Sequence, residues 1–128
     1  MARRFLVDTD VLIEYLRGSA QAIRFLEGVE GSLCVSAITV AELYSGVKGE
    51  EEETALAQFL SAFEVIPVDE PLAVRGGLCR RDFGPRHGVG LADALVAVSA
   101  EDAGAVLVTF NKRHYPMLRE VIVPYHRK

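Results

Sequence analysis

Four acidic residues of this 128-residue chain stand where a carboxylate could do chemical work: Asp8, Asp10, Glu42 and Asp93. Asp8-Thr-Asp10 closes the apolar run Phe5-Leu-Val7, the pattern of a buried strand that ends at a polar mouth. If the strand persists, Asp8 and Asp10 point the same way, because side chains alternate with period two. Either could instead cap the helix that follows. Glu42 closes Thr39-Val-Ala-Glu42, which also fits the spacing of a capping box. Its apolar neighbours Ile38, Val40, Ala41 and Leu43 favour a position that enters a site over open solvent. Asp93 opens Leu91-Ala-Asp-Ala-Leu-Val-Ala-Val, the most apolar helical stretch of the chain. A first-turn acid complements the helix dipole by about 0.3–1 kcal/mol. An unpaired buried carboxylate is costly, however, and a cation would offset that cost. Asp102, nine residues further on, falls on the opposite side of the same helix and reads as a surface residue.

Three separated carboxylates, Asp8, Glu42 and Asp93, suit a hard, oxygen-seeking cation such as Mg²⁺, with Mn²⁺ as a substitute. Such a site serves phosphoryl transfer: the ion activates water and neutralises charge on the phosphate. Clustered carboxylates should also raise at least one apparent pKa when no metal is present. The run Thr109-Phe-Asn-Lys-Arg-His114-Tyr follows another strand-like stretch, so Asn111, His114 and the basic pair Lys112-Arg113 could approach the same place. His87, His114 and His126 lack zinc spacing. Cys34 and Cys79 match neither a metal site nor a disulfide framework and read as buried small hydrophobes in a reducing cytoplasm.

The elements that must position these residues are legible in the hydrophobic pattern. Short apolar runs at 5–7, 33–35, 63–68, 105–109 and 121–123 read as strands. Helical patterns cover 11–16, 19–27 behind a Ser19 cap, 39–47, 50–62, a stretch from Pro71 to about residue 82, and 91–103. The segment 84–90, rich in glycine and carrying Pro85, reads as a loop. Buried strands alternating with helices predict a three-layer α/β/α sandwich around a mostly parallel sheet of four to five strands. In such a sheet a ligand sits at the carboxyl ends of the strands.

At 14.0 kDa, residues 1–128 are expected to form a single domain. With 50% hydrophobic and 25% charged residues, disorder and low complexity are excluded. No apolar run approaches the roughly 18 residues of a membrane span. The N-terminus passes from two arginines straight into a strand and shows no signal-peptide core, so a cytoplasmic location is expected. Net charge is −4, unevenly placed: residues 1–74 carry five basic and 13 acidic side chains, residues 75–128 nine and five. The acidic total argues against indiscriminate nucleic-acid binding without excluding a local basic rim. A mean hydropathy of +0.20 is high for so small a domain and suggests apolar surface shared with a partner.

Four motifs in register carry a family resemblance: Phe-Leu-Val-Asp8-Thr-Asp-Val-Leu-Ile, Ile-Thr-Val-Ala-Glu42-Leu, Ala-Asp93-Ala-Leu-Val-Ala and Leu-Val-Thr109-Phe-Asn-Lys-Arg-His-Tyr. Together, over nearly the whole chain, they resemble a PIN domain, most of all the VapC-type toxins of bacterial toxin–antitoxin pairs. The resemblance implies a Mg²⁺-dependent endoribonuclease, toxic when free, inhibited by a cognate antitoxin and commonly a homodimer. By the same resemblance Asp8 and Asp93 are metal-binding and catalytic aspartates, Glu42 is the third catalytic acid, and Thr109 and Asn111 are the polar residues after the fourth strand. His114 stands where the family often has a further aspartate, which bears on whether one metal ion or two are held. The RNA would be single-stranded and cut by metal-activated water, leaving a 5′-phosphate and a 3′-hydroxyl. An amphipathic antitoxin helix is expected in an apolar groove among the helices of 19–27, 39–47 and 50–63. The alternative is a non-catalytic PIN-like module that binds RNA or protein. Asp8-Thr-Asp10 also resembles the first motif of haloacid-dehalogenase phosphatases, but the lysine and later acidic pair those enzymes need are missing.

Overall fold

Strand β1, Arg3–Val7, ends in Phe5, Leu6 and Val7, all buried. Three consecutive buried residues require cover on both faces, and the molecule supplies it. In the computed structural model, which describes residues 3–127, β1 is the middle strand of a five-stranded sheet. The ends of the expected single domain and the first two residues of the N-terminal run lie outside the described residues. The sheet order is β3-β2-β1-β4-β5 and every pairing is parallel, with β2 at Gly31–Ser36, β3 at Glu64–Ile66, β4 at Val106–Val108 and β5 at Val121–Ile122. Register is set by Phe5 opposite Leu33 on one side and Val106 on the other. Gly31 is required where β1 and β2 first meet, because a Cβ there would lie 2.4 Å from the Arg3 carbonyl oxygen.

Helices α1 (Thr9–Leu16), α2 (Ala20–Glu27), α3 (Ala37–Ser45) and α4 (Gly49–Leu60) contribute to one core with Phe5, Val7, Val35 and Val108. The alternate residues Leu6, Cys34 and Leu107 face the other core, closed by Val96, Ala97 and Ala100 of α6 (Leu91–Ala103) and by Tyr115. Helix α5 (Glu70–His87) lies against α6, so closely at Gly76 that a Cβ would meet Leu95 Cδ2 at 2.3 Å. The three-layer α/β/α sandwich predicted from the pattern is the observed fold, with all five strands parallel.

Three local expectations are corrected. Helix α5 does not stop near residue 82 but runs through Pro85 to His87. A proline that late removes one backbone donor only, and the stop comes instead from Gly88 in the left-handed region at φ 66°. Helix α3 begins before Thr39: Ser36 is its cap, accepting from the Ile38 N–H at 3.1 Å, so Thr39 and Glu42 form no capping box. Cys79 is half-buried rather than buried, while Cys34 is buried as expected.

Candidate active site

The acids gather at the carboxyl ends of β1 and β4. Strand β1 ends at Val7, and Asp8 caps α1, accepting from the Thr9 N–H with Oδ1 at 2.8 Å. Asp8 and Asp10 therefore meet through a helix start and not through strand alternation. Both reach Thr109, whose hydroxyl lies 2.8 Å from Asp8 Oδ2 and 3.3 Å from Asp10 Oδ2. Asp10 Oδ2 also accepts from the Phe110 N–H at 3.0 Å and from Asn111 Nδ2 at 3.1 Å. The segment after β4 is thus tied to the first turn of α1 by side chains that local sequence could only suggest.

Tyr115 supplies a link the sequence reading missed. It is 2% exposed, filling the core beneath α6, and its hydroxyl donates to Asp8 Oδ2 at 2.8 Å while lying 3.2 Å from Asp93 Oδ1. One phenolic proton thus stands between two carboxylates. Burial, then the charges of Asp8 and Asp93, pushes the phenol's pKa well above its ordinary value, so Tyr115 acts here as a donor. Asp93 is half-buried, and its Oδ2 lies 3.2 Å from His114 Nδ1, an ion pair whenever the imidazole is protonated. On the other flank Glu42 is exposed, so its apolar neighbours did not draw it out of solvent. Its Oε1 nevertheless accepts from the Thr9 hydroxyl at 2.6 Å, beside Thr39 Oγ1 at 3.0 Å from the same hydroxyl. A continuous chain results: Glu42, Thr9, Asp8, Tyr115, Asp93, His114. In the sequence Tyr115 is marked only as the last residue of the fourth motif, with no role attached to its hydroxyl.

Electrostatics differ along this chain. Asp8 is pushed up to about 6, first by burial and then by the charge of Asp10, against the lowering effect of its Thr109, Tyr115 and Thr9 hydrogen bonds. Asp10 is also raised by burial, opposed by the Phe110 N–H and by the positive charge of Arg127. Desolvation, more than mutual repulsion, raises both acids.

Among the described residues no three carboxylate, imidazole or thiol groups converge into a ready-made metal cage. The donor set still fits a small hard divalent ion: carboxylate oxygens in a partly desolvated cleft, with Asp10 Oδ1 buried and without any hydrogen-bond partner. An orphaned buried carboxylate oxygen carries its full desolvation cost until something satisfies it. Asp102 lies away from this cluster, exposed and paired with Arg75 at 3.6 Å.

Beside Glu42 an apolar groove of about 620 Å³ opens between α1, α3 and α4, lined by Ile13, Leu16, Leu43, Val47 and Leu56 among others. The expected groove included α2, but Leu26 is buried and Phe25 packs against the same core, so α1 takes its place. Phe59 is likewise engaged, stacked on Tyr15 at 5.3 Å. No helix among the described residues is long and apolar enough to cross a membrane.

Comparison with known proteins adds the family. Residues 5–118 match the model of the PIN domain. The chain is 35% identical over 123 residues to ribonuclease VapC10 of Mycobacterium tuberculosis, covering 94% of this chain and 92% of that protein. It is 36% identical over 124 residues to ribonuclease VapC19 of the same organism, covering 94% and 98%. Among solved structures, a toxin–antitoxin complex from Klebsiella pneumoniae superposes with a TM-score of 0.82 at 27% identity, covering 95% of this chain and 98% of that one. With the acids gathered at the strand ends and likeness extending over nearly its whole length, the chain belongs to the PIN-domain family, among the VapC ribonucleases.

Proposed function

We propose that the protein is a divalent-metal-dependent endoribonuclease, the toxic half of a toxin–antitoxin pair, which cuts single-stranded RNA at the acid cluster. Divalent-metal dependence is general for PIN-domain ribonucleases. The observation that carries the reading is the hydrogen-bonded chain from Glu42 through Asp8 to Asp93, which joins three separated sequence motifs at one end of the sheet. A module that only bound RNA would gain nothing from three carboxylates facing a polyanion.

Asp8 and Asp93 are the residues that would hold the ion, with Mg²⁺ its natural identity and Mn²⁺ a substitute. When bound, such an ion supplies Lewis acidity, lowering the pKa of water and neutralising phosphate charge. The chain's own residues do the rest. Thr109 and Tyr115 donate to Asp8 and fix its carboxylate plane. His114 orients Asp93 from the side opposite Tyr115, and Thr9 holds Glu42 in reach of the cleft. With His114 in place of a further acid, one ion held tightly is favoured over two. Lys112 and Arg113 stand on the segment leading away from the cleft, where cations favour a phosphate backbone.

The apolar groove ending at Glu42 is the place for an amphipathic antitoxin helix. An arginine of that partner, delivered to the acids, would compete with the metal, and the acidic N-terminal half would favour its approach. A homodimer would use a different face, leaving each groove free.

Cleavage of single-stranded RNA with Mg²⁺ or Mn²⁺, abolished by excess EDTA and by Asp93→Asn with the fold intact, is the expected result. Full activity of Asp93→Asn, or of the unaltered chain in EDTA, overturns the assignment.

A further inference from the structure

A second concavity of about 810 Å³ adjoins the acid cluster on the side of α1 that faces the chain after β5, and the groups converging on it are of an unusual kind. Phe110 and Tyr125 meet edge to face, with ring centroids 5.0 Å apart and planes at 76°. The Arg127 guanidinium carbon lies 4.1 Å from the centroid of Phe110. The Tyr125 ring is seated by its packing on Phe110, and its hydroxyl also lies 3.2 Å from Ser19 Oγ at the cap of α2. Glu14, Gln21, Val123 and His126 also line the concavity. Flat π-surfaces, a stacked cation and a mixed set of donors and acceptors on one rim are what a nucleobase needs: stacking on its face and hydrogen bonds at its edge. An acyl chain or an apolar peptide would find too many polar walls, and a bare phosphate would meet Glu14.

Its position relative to the acids matters as much as its lining. Phe110 follows Thr109 directly, and the Phe110 N–H donates to Asp10 Oδ2 at 3.0 Å, so the aromatic floor and the acid cluster share one backbone segment. Lys112 and Arg113, exposed on the 3₁₀ turn just beyond, can follow the backbone of a strand running between the two. We infer that the Phe110–Tyr125–Arg127 corner is a subsite that takes one unpaired base of the RNA strand, next to the nucleotide presented to the acid cluster, and so helps to set where the strand is cut. This inference rests on the ribonuclease reading above.

Steady-state cleavage by the full chain with Mg²⁺ tests it, using a short single-stranded RNA of mixed sequence and the same RNA carrying one abasic nucleotide at each position in turn. Tyr125→Leu and Arg127→Gln are expected to raise KM about ten-fold, the loss typical of one stacked base, with kcat within about two-fold of the unaltered chain. Tyr125→Phe keeps the ring and should stay near the unaltered KM. In the unaltered chain, one abasic position should raise KM by a similar factor, and Tyr125→Leu should no longer sense it. The melting-temperature increase given by Mg²⁺ should be the same in both Tyr125 variants, since neither alters a charge near the acids. Arg127 is exposed, so Arg127→Gln folds even if Tyr125→Leu does not. Unchanged KM and unchanged abasic sensitivity in folded variants overturn the subsite and leave the nuclease standing. Weakened binding of an antitoxin with KM unchanged assigns the corner to a protein partner and likewise overturns it. If the unaltered chain cuts no RNA with any divalent ion, the nuclease reading itself fails and takes the subsite with it.

Discussion

The two flanks of the acid chain differ sharply. Asp8 is 7% exposed, accepts three hydrogen bonds and has a carboxyl pushed up to about 6. Glu42, a few ångströms along the same network, is exposed and held by a single threonine hydroxyl. The inner flank is built to keep a negative charge where water does not reach, at a cost to the unliganded fold. The outer flank costs the fold little and remains open to a substrate or a partner's side chain. Stability and activity should therefore respond differently on the two sides.

Substituting the inner acids gives the largest effect on activity. Asp8→Asn should lower RNA cleavage by at least about 10²-fold, the loss typical of a preorganised charged group, and should weaken Mg²⁺ binding in parallel. Asn carries no charge to desolvate but turns an amide N–H toward one of the three donors, so without metal the variant should melt near the temperature of the unaltered chain. A large loss of stability would show instead that the Asp8 charge is structurally required.

The pH dependence sharpens the same contrast. Asp8 has an ordinary value of 3.8 and a folded one of about 6, so below pH 3.8 both states hold its proton. Between about pH 4 and pH 6 the unfolded chain releases the proton while the folded one retains it, and stability falls as pH rises. Above about 6 both are ionised and the penalty is constant, on the order of 2–3 kcal/mol. Denaturant titrations without metal should show this decline, Asp8→Asn should flatten it, and Mg²⁺ at pH 7.5 should raise the melting temperature by mass action.

Tyr115→Phe tests the bridge. The ring stays in the core, so only the hydroxyl between Asp8 and Asp93 is lost. About 1 kcal/mol of stability should go with the hydrogen bond, and cleavage should fall about 10-fold or more as the two carboxylates lose their shared donor. Isothermal titration with Mg²⁺ separates altered ion affinity from altered turnover.

On the outer flank, Glu42→Gln should change stability by less than about 0.5 kcal/mol, as for other exposed substitutions, while still reducing cleavage. Unchanged cleavage would remove Glu42 from the machinery and leave the site to the inner acids.

Periodicity alone was enough to predict the layered α/β fold, because strands buried on both faces and helices apolar on one are visible in any short window. It also singled out Asp8, Glu42 and Asp93, since acids at the ends of apolar runs are chemically conspicuous. Side-chain partnerships were not visible in the same way. The 3.6-residue pattern could not show that α5 passes through Pro85, because one missing donor near a helix end is tolerated and the stop depends on Gly88 adopting a left-handed conformation. Nor could it assign α1 rather than α2 to the apolar groove, which is decided by how the helices cross the sheet. Tyr115 is the clearest case: locally it is one aromatic among basic residues, and only the fold carries its hydroxyl across 107 positions of chain to Asp8. Residue type and spacing set the elements and the charges they bear, because those are local properties. Which charges share a proton donor, and which lose their water, is set by burial among strands distant in sequence, and that is a property of the tertiary structure alone.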